Sequence, residues 1–334
     1  MISVATFSHR QTAVPFAVCA LSLAFAAATM ASCAPIAFSI ATVFLFAGPH
    51  NWLELRYFLS RLPSRFGRLK AFFLWSFGGL ATLMVTYITL VVAMQVGIMN
   101  DSIRDTVFAI WNCGLILWVA RLIVISGCQR QGRDWGWALP VGLFFAAGSW
   151  LAPSCFWLAL VYLHPFVGLL ILDREIARSR PDWRKTYHLC LLAIPLLLSL
   201  IWWQLWGTPS LPAADELTWR ITQHAGAGIL SGCSSHLLVS THTFLEMIHY
   251  GVWLIAIPLI SSGWQSWQPR SIPLSWRSSE WKRAISAILA FSTFAVVALW
   301  CAFAFNYSTT RDIYFTLALA HVLGEIPFLL KALM

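Results

Sequence analysis

The sequence predicts an all-α, polytopic membrane protein: a single transmembrane helical domain over residues 1–334, with about ten transmembrane helices and both termini cytoplasmic. Three observations carry this. The chain is 59% hydrophobic and only 10% charged, with a mean hydropathy of +0.72, whereas soluble domains carry roughly 25% charged residues. Apolar stretches long enough for a ~30 Å hydrocarbon core recur from one end to the other. Basic residues crowd into alternate loops.

The apolar stretches fall near 11–31, 34–53, 71–96, 106–127, 135–150, 152–172, 188–206, 237–261, 284–305 and 312–330. The first, from Ala13 to Ala31, ends in small residues as a signal peptide does. It is preceded by a single basic residue, Arg10, and followed at once by another apolar run, so it reads as a retained helix. The fifth and sixth meet around Pro153 and read either as two spans or as a helical hairpin or re-entrant segment. Between the seventh and eighth, the stretch from 207 to 236 has the Pro, Gly and Ser density of a loop, with an interfacial helix expected at 214–223.

Loop charges test the count independently. The loop after span 2 carries Arg56, Arg61, Arg65, Arg68 and Lys70, that after span 4 Arg130 and Arg133, that after span 6 Arg174, Arg178, Arg180, Arg184 and Lys185, and that after span 8 Arg270, Arg277, Lys282 and Arg283. The other loops are poor in basic residues, as the positive-inside rule requires when both termini are cytoplasmic. The net charge of +9 is therefore a topology signal rather than a nucleic-acid surface. Eight cysteines are scattered without C-x-x-C spacing and read as small core residues. The expected location is the cytoplasmic membrane of a bacterium.

Against this apolar background the polar residues stand out, since an ionisable side chain inside a span costs a few kcal/mol. His50 and Glu54 are four apart, as are His321 and Glu325, while His242, Glu246 and His249 lie at i, i+4 and i+7. Each group shares one helix face. Random placement of the chain's 9 histidines and 6 glutamates gives roughly 0.2 such His-x3-Glu pairs, and the sequence has three. His164 lies near the middle of span 6 with no acid beside it. These candidates occupy spans 2, 6, 8 and 10, which all run in the same direction. The competing reading is helix-to-helix hydrogen bonding, and Glu54 has a second one, an ion pair with Arg56 or Arg61. His9, His188 and His224 read as ordinary surface histidines, and His236 as a residue that caps or snorkels at the outer boundary. The segment ILDREIARSRPDWRKTYH reads as a salt-bridge network beneath the bundle.

Imidazoles with carboxylates and no cysteine suit iron, manganese or zinc, and histidine-rich sites with open positions are typical of O2-activating non-haem Fe(II). Carboxylates near the histidines serve either as ligands or as acceptors that fix the tautomer.

Three patches resemble motifs of the Brp/Blh family of membrane β-carotene 15,15'-dioxygenases: GPHNWLE at 48–54, EMIHYG at 246–251 and AHVLGEIPF at 320–328. The resemblance covers about a tenth of the chain; Asn51 stands where the first motif has glycine, and no acid follows IHYG. It implies a polytopic helical protein with a histidine-ligated iron. Carried over residue by residue, it implies His50, His164, His249 and His321 as ligands of Fe(II) or another divalent metal, with Glu54, His242, Glu246 and Glu325 beside them or as alternate ligands. The implied partners are O2, membrane lipids and a lipophilic polyene or isoprenoid substrate. Two other classes remain open: a haem- or quinone-binding electron carrier and a proton- or cation-coupled transporter.

Overall fold

The computed structural model describes residues 13–129, 134–212, 214–261 and 269–333, and no strand occurs among them. Of the residues singled out above, His9, Arg10, Arg130 and Arg133 lie outside this set. The α-helices in chain order are α1 (Val14–Cys33), α2 (Pro35–Arg61), α3 (Lys70–Gln95), α4 (Asp101–Gln129), α5 (Ala138–Leu151), α6 (Pro153–Ser179), α7 (Arg184–Leu191), α8 (Ala193–Leu205), α9 (Glu216–His224), α10 (Ser235–Gly251), α11 (Ile257–Ile260), α12 (Ser279–Phe305) and α13 (Tyr307–Leu333). Nine segments among the described residues are long and apolar enough to cross a membrane, α7 with α8 and α10 with α11 each making one.

The tenth expected span is α5, and it is short. Its 14 residues cover about 21 Å at 1.5 Å per residue, less than a hydrocarbon core. It packs antiparallel on α4: a Cβ at Gly142 would stand 2.7 Å from the Ala120 Cβ, and the Cys113 thiol approaches the Ala146 carbonyl at 3.5 Å. Ala152 leaves the helical region (φ −143°, ψ 67°) and Pro153 opens α6, because proline at a first helical position lacks only an N–H with no intrahelical partner. The Pro153 corner is thus the tip of a hairpin.

Two helices outrun their expected ends. Apolarity stops near residue 53, yet α2 continues to Arg61 with Glu54, Arg56, Tyr57, Phe58 and Leu59 buried. Arg56 is therefore a helical residue, 1% exposed, whose guanidinium donates to Ser271 Oγ. Likewise α6 runs to Ser179 and keeps Arg174 and Arg178 on the helix. Basic residues ended these spans in the sequence, but the helices persist because acceptors at the same level receive them, Glu175 for Arg61 and Arg178 and the Ser271 hydroxyl for Arg56.

Glu175 is the main receiver. Its carboxylate accepts from Arg61 at 2.5 Å, Ser179 at 2.8 Å, Arg178 and Ser261 at 3.0 Å and Tyr57 at 3.1 Å. Asp173 similarly binds Arg184 at 2.9 Å and His188 at 2.7 Å. These contacts form the salt-bridge network expected of this segment.

Those same contacts fix directions. The C-terminal ends of α2 (Arg61), α6 (Glu175), α11 (Ser261) and α13, whose Lys331 donates to the Arg61 carbonyl, gather at one end. Toward the other end, Tyr162 of α6 donates to the Leu238 carbonyl of α10 at 3.1 Å and Tyr307 of α13 to the Ile40 carbonyl of α2 at 3.3 Å. Helices α2, α6, α10 and α13 are therefore parallel. The span built on α10 lies at the centre, with 72% of its apolar window buried against 11–39% for the others.

Candidate metal centre

Each of the four parallel helices contributes one histidine to a common point. The His50 ring lies 5.5 Å from that of His249 and 5.1 Å from that of His321, and the His164 ring lies 4.5 Å from His249 and 5.5 Å from His321. One ligand atom each from His50, Glu54, His249 and His321 all fall within 4.8 Å of one another. Metal bonds of about 2.1 Å place opposite ligands ~4.2 Å apart, so the donors stand close to the spacing of a bound ion. His164 adjoins this group through His249 and His321.

The donor atoms lack the partners that buried polar groups ordinarily find. His50 Nε2, His164 Nε2, both nitrogens of His249 and His321, and both oxygens of Glu54 have none within the protein. Such orphaned, converging imidazole and carboxylate atoms fit a divalent cation. Neither Arg56 nor Arg61 pairs with Glu54: Arg61 is committed to Glu175 and Arg56 to Ser271.

Local sequence explains how the rings are aimed. Pro49 has no N–H and loosens α2 one residue before His50. The His50 Nδ1 lies 3.1 Å from the Phe46 carbonyl; since a carbonyl only accepts, Nδ1 carries the proton and Nε2 presents its lone pair to the centre. Pro165 does the same for α6, and the His164 side chain faces the Val161 carbonyl that Pro165 leaves without a donor. Gly168 makes room for the third ring: a Cβ there would stand 3.2 Å from His249 Nδ1 and 3.4 Å from Trp253 Nε1.

Around this group lie the remaining acids. Glu325, fully buried, accepts from Trp253 Nε1 at 3.2 Å, and its Oε1 is 4.0 Å from His249 Nε2. Trp253 is placed by a single π-helical segment, Val252–Ala256, that follows α10 directly, a feature common at functional sites. Glu246 stands one turn above the cluster, where its Oε1 accepts from the Tyr250 hydroxyl at 2.9 Å, and the Tyr250 ring lies 4.5 Å from His50. His242 is further out and belongs to a separate group: its ring is 5.1 Å from His224, whose other side meets Phe315 at 4.5 Å.

His224 corrects the reading of it as an ordinary surface histidine. It ends α9, the interfacial helix expected at 214–223, which starts at Glu216 with the Asp215 carboxylate accepting from the Thr218 N–H at 2.7 Å. That amphipathic helix folds over the bundle and turns His224 inward, which its loop-like flanks did not indicate. Burial and the neighbouring His242 and Arg311 hold the His224 imidazole well below the ordinary histidine range. His188 is exposed and His236 donates from Nε2 to the Ser32 carbonyl at 3.1 Å, as a capping role implies. Among the described residues no cysteine joins the cluster.

Beside the centre, an apolar cleft of about 660 Å³ opens between α2, α12 and α13, bordered by Gly48, Trp52, Val296, Leu317 and Ala318, with Asn51 and Tyr314 as its polar points. No protein-family model matches the chain, and no curated protein or solved structure matches it either.

Proposed function

We propose that the chain is a membrane-embedded non-haem iron oxygenase that acts on a lipophilic polyene or isoprenoid. The single observation that carries this reading is the convergence of His50, His164, His249 and His321 with Glu54, all offering unpartnered donor atoms inside an apolar bundle. The three patches that resemble the Brp/Blh motifs lie on α2, α10 and α13, three of the helices that converge there.

In this reading the four imidazoles and the Glu54 carboxylate hold the ion. Non-haem Fe(II) with open coordination positions supplies O2 activation. The chain's own part is to position and exclude. Phe46 and Val161 carbonyls orient two of the rings, and Glu325, held by Trp253, faces His249 and balances charge at the centre. The buried surroundings keep water away, and the cleft between α2, α12 and α13 offers an apolar molecule a path from the lipid to the side of α2. Rings in direct contact at 4.5–6.0 Å leave no planar slot for a macrocycle, which favours a bare ion over haem.

Metal analysis of the detergent-purified protein tests the reading. It expects about one iron per chain, lost on substituting His321→Ala. Protein that holds no metal as isolated and binds no Fe(II) on titration sinks it.

A further inference from the structure

Arg311 lies in the second turn of α13, at the outer side of the bundle, and is 4% exposed. Its guanidinium stacks on the Phe315 ring at 4.6 Å, and its Nε has no hydrogen-bond partner. Among the described residues no carboxylate lies within ion-pair distance of it. Asp312, next to it in sequence, is taken by Arg220 of α9, and Glu246 accepts from Tyr250 instead. A buried guanidinium that feels the charge of Glu246 only from beyond contact distance is costly, and intramembrane charges of this kind mark ligand counter-ions. Two further N–H bearing rings share the place: His224 contacts the same Phe315 ring, and His242 contacts His224.

The apolar cleft between α2, α12 and α13 reaches Ile313 and Tyr314, within one turn of Arg311 along α13. Along the same helix Arg311 and His321 are ten residues apart, about 15 Å. We propose that Arg311, with His224 and His242, receives the anionic head group of an amphipathic lipid whose apolar chain lies in this cleft. On the oxygenase reading, on which this assignment of substrate class rests, the reacting carbon would then lie some 15 Å from a carboxylate or phosphate end. The substrate is an acidic lipid rather than a plain hydrocarbon.

Fluorescence binding of cis-parinaric acid and of its methyl ester to the purified protein, at a pH where the acid is ionised, tests this. The acid should bind at least ten-fold more tightly than the ester; Arg311→Gln should reduce that preference below two-fold while leaving ester binding unchanged, and Arg311→Lys should retain part of it. Filling the cleft with Ala295→Trp should weaken both probes alike. Equal binding of acid and ester, no binding of the acid, a preference that survives Arg311→Gln, or displacement of the acid by equimolar acetate would each overturn the proposal. Equal binding in particular would mean that Glu246 balances Arg311 internally. Metal content is measured on the same samples, so a metal-free protein that keeps its acid preference defeats the oxygenase reading and leaves the anion site standing.

Discussion

The imidazole of His50 and the phenol of Tyr250 lie 4.5 Å apart, and the Tyr250 hydroxyl donates to Glu246 Oε1 at 2.9 Å. One ring thus packs against the candidate metal centre while its hydroxyl satisfies an acid a turn away. Substituting Tyr250→Phe keeps the packing and deletes the hydrogen bond. Glu246, whose Oε2 already has no partner, would then have neither oxygen satisfied, at a cost of about 1–3 kcal/mol. Thermal unfolding in detergent should show the loss, with metal content unchanged; a fall in metal content would instead place Tyr250 among the ligands.

Glu54 is expected to give two opposite effects. As a ligand or ligand partner its replacement by Gln should weaken metal affinity by about 10–100-fold. In metal-free protein the same change removes a buried carboxylate with no partner, so the apo form should unfold at a higher temperature than wild type. Titration calorimetry with Fe(II) and apo-protein melting measure the two effects separately. If both forms lose stability together, Glu54 has a structural partner and is not a metal residue.

Much of this centre could be read from residue type and spacing, and the reason is the membrane. Histidine and glutamate are expensive in an apolar span, so the few present at i, i+4 spacing had to face one another, and His50, His164, His249 and His321 do. What was not legible depended on partners distant in sequence. Arg56 and Arg61 looked like loop cations because Ser271 and Glu175, which receive them, lie on other segments. The α5 span looked long enough because its apolar run includes Trp135 and Trp137, which precede the helix. The inward turn of His224 and the π segment that delivers Trp253 to Glu325 leave no mark in local composition.

Gly168 is a position where space rather than chemistry matters. A methyl group there would press on His249 Nδ1 and Trp253 Nε1, while alanine in a helix interior gains about 0.5–1 kcal/mol over glycine. Gly168→Ala should therefore leave the melting temperature nearly unchanged and lower metal affinity by tilting His249. Gly168→Val should cost about 1–3 kcal/mol through overpacking. Full metal affinity in the alanine variant would show that His249 is not a ligand or that its ring has room to move.

The Glu175 knot should dominate stability at the end of the bundle where α2 and α6 terminate. Its carboxylate is 2% exposed and joins α2, α6 and the residue after α11. Removing one partner of a buried pair costs about 3–5 kcal/mol, and Arg61 at 23% exposure recovers part of this through water. Glu175→Gln is expected to destabilise the protein by about 2–3 kcal/mol, read as a shift in detergent melting, with the metal site intact because His164 lies about three turns away along α6. A variant with unchanged melting would reduce the knot to a surface ornament.

The pH dependence of α9 follows from His224. Its neighbours from every packed element are His242 on α10, Arg311 on α13 and, further away, His164 on α6, and burial with these groups holds its folded pKa well below the usual histidine value of about 6.5. The unfolded or detached helix therefore binds the proton more readily than the docked one. By linkage, docking is fully favourable above the unfolded pKa and weakens as pH falls through 6.5 toward the depressed folded value. Hydrogen exchange of the Glu216–His224 amides should accelerate, after correction for intrinsic rates, between pH 7 and pH 5 while α3 amides do not. In His224→Phe, which keeps the stack on Phe315, the acceleration should vanish. If it persists, the acid lability of α9 arises at its other end, where the Asp215 carboxylate caps Thr218.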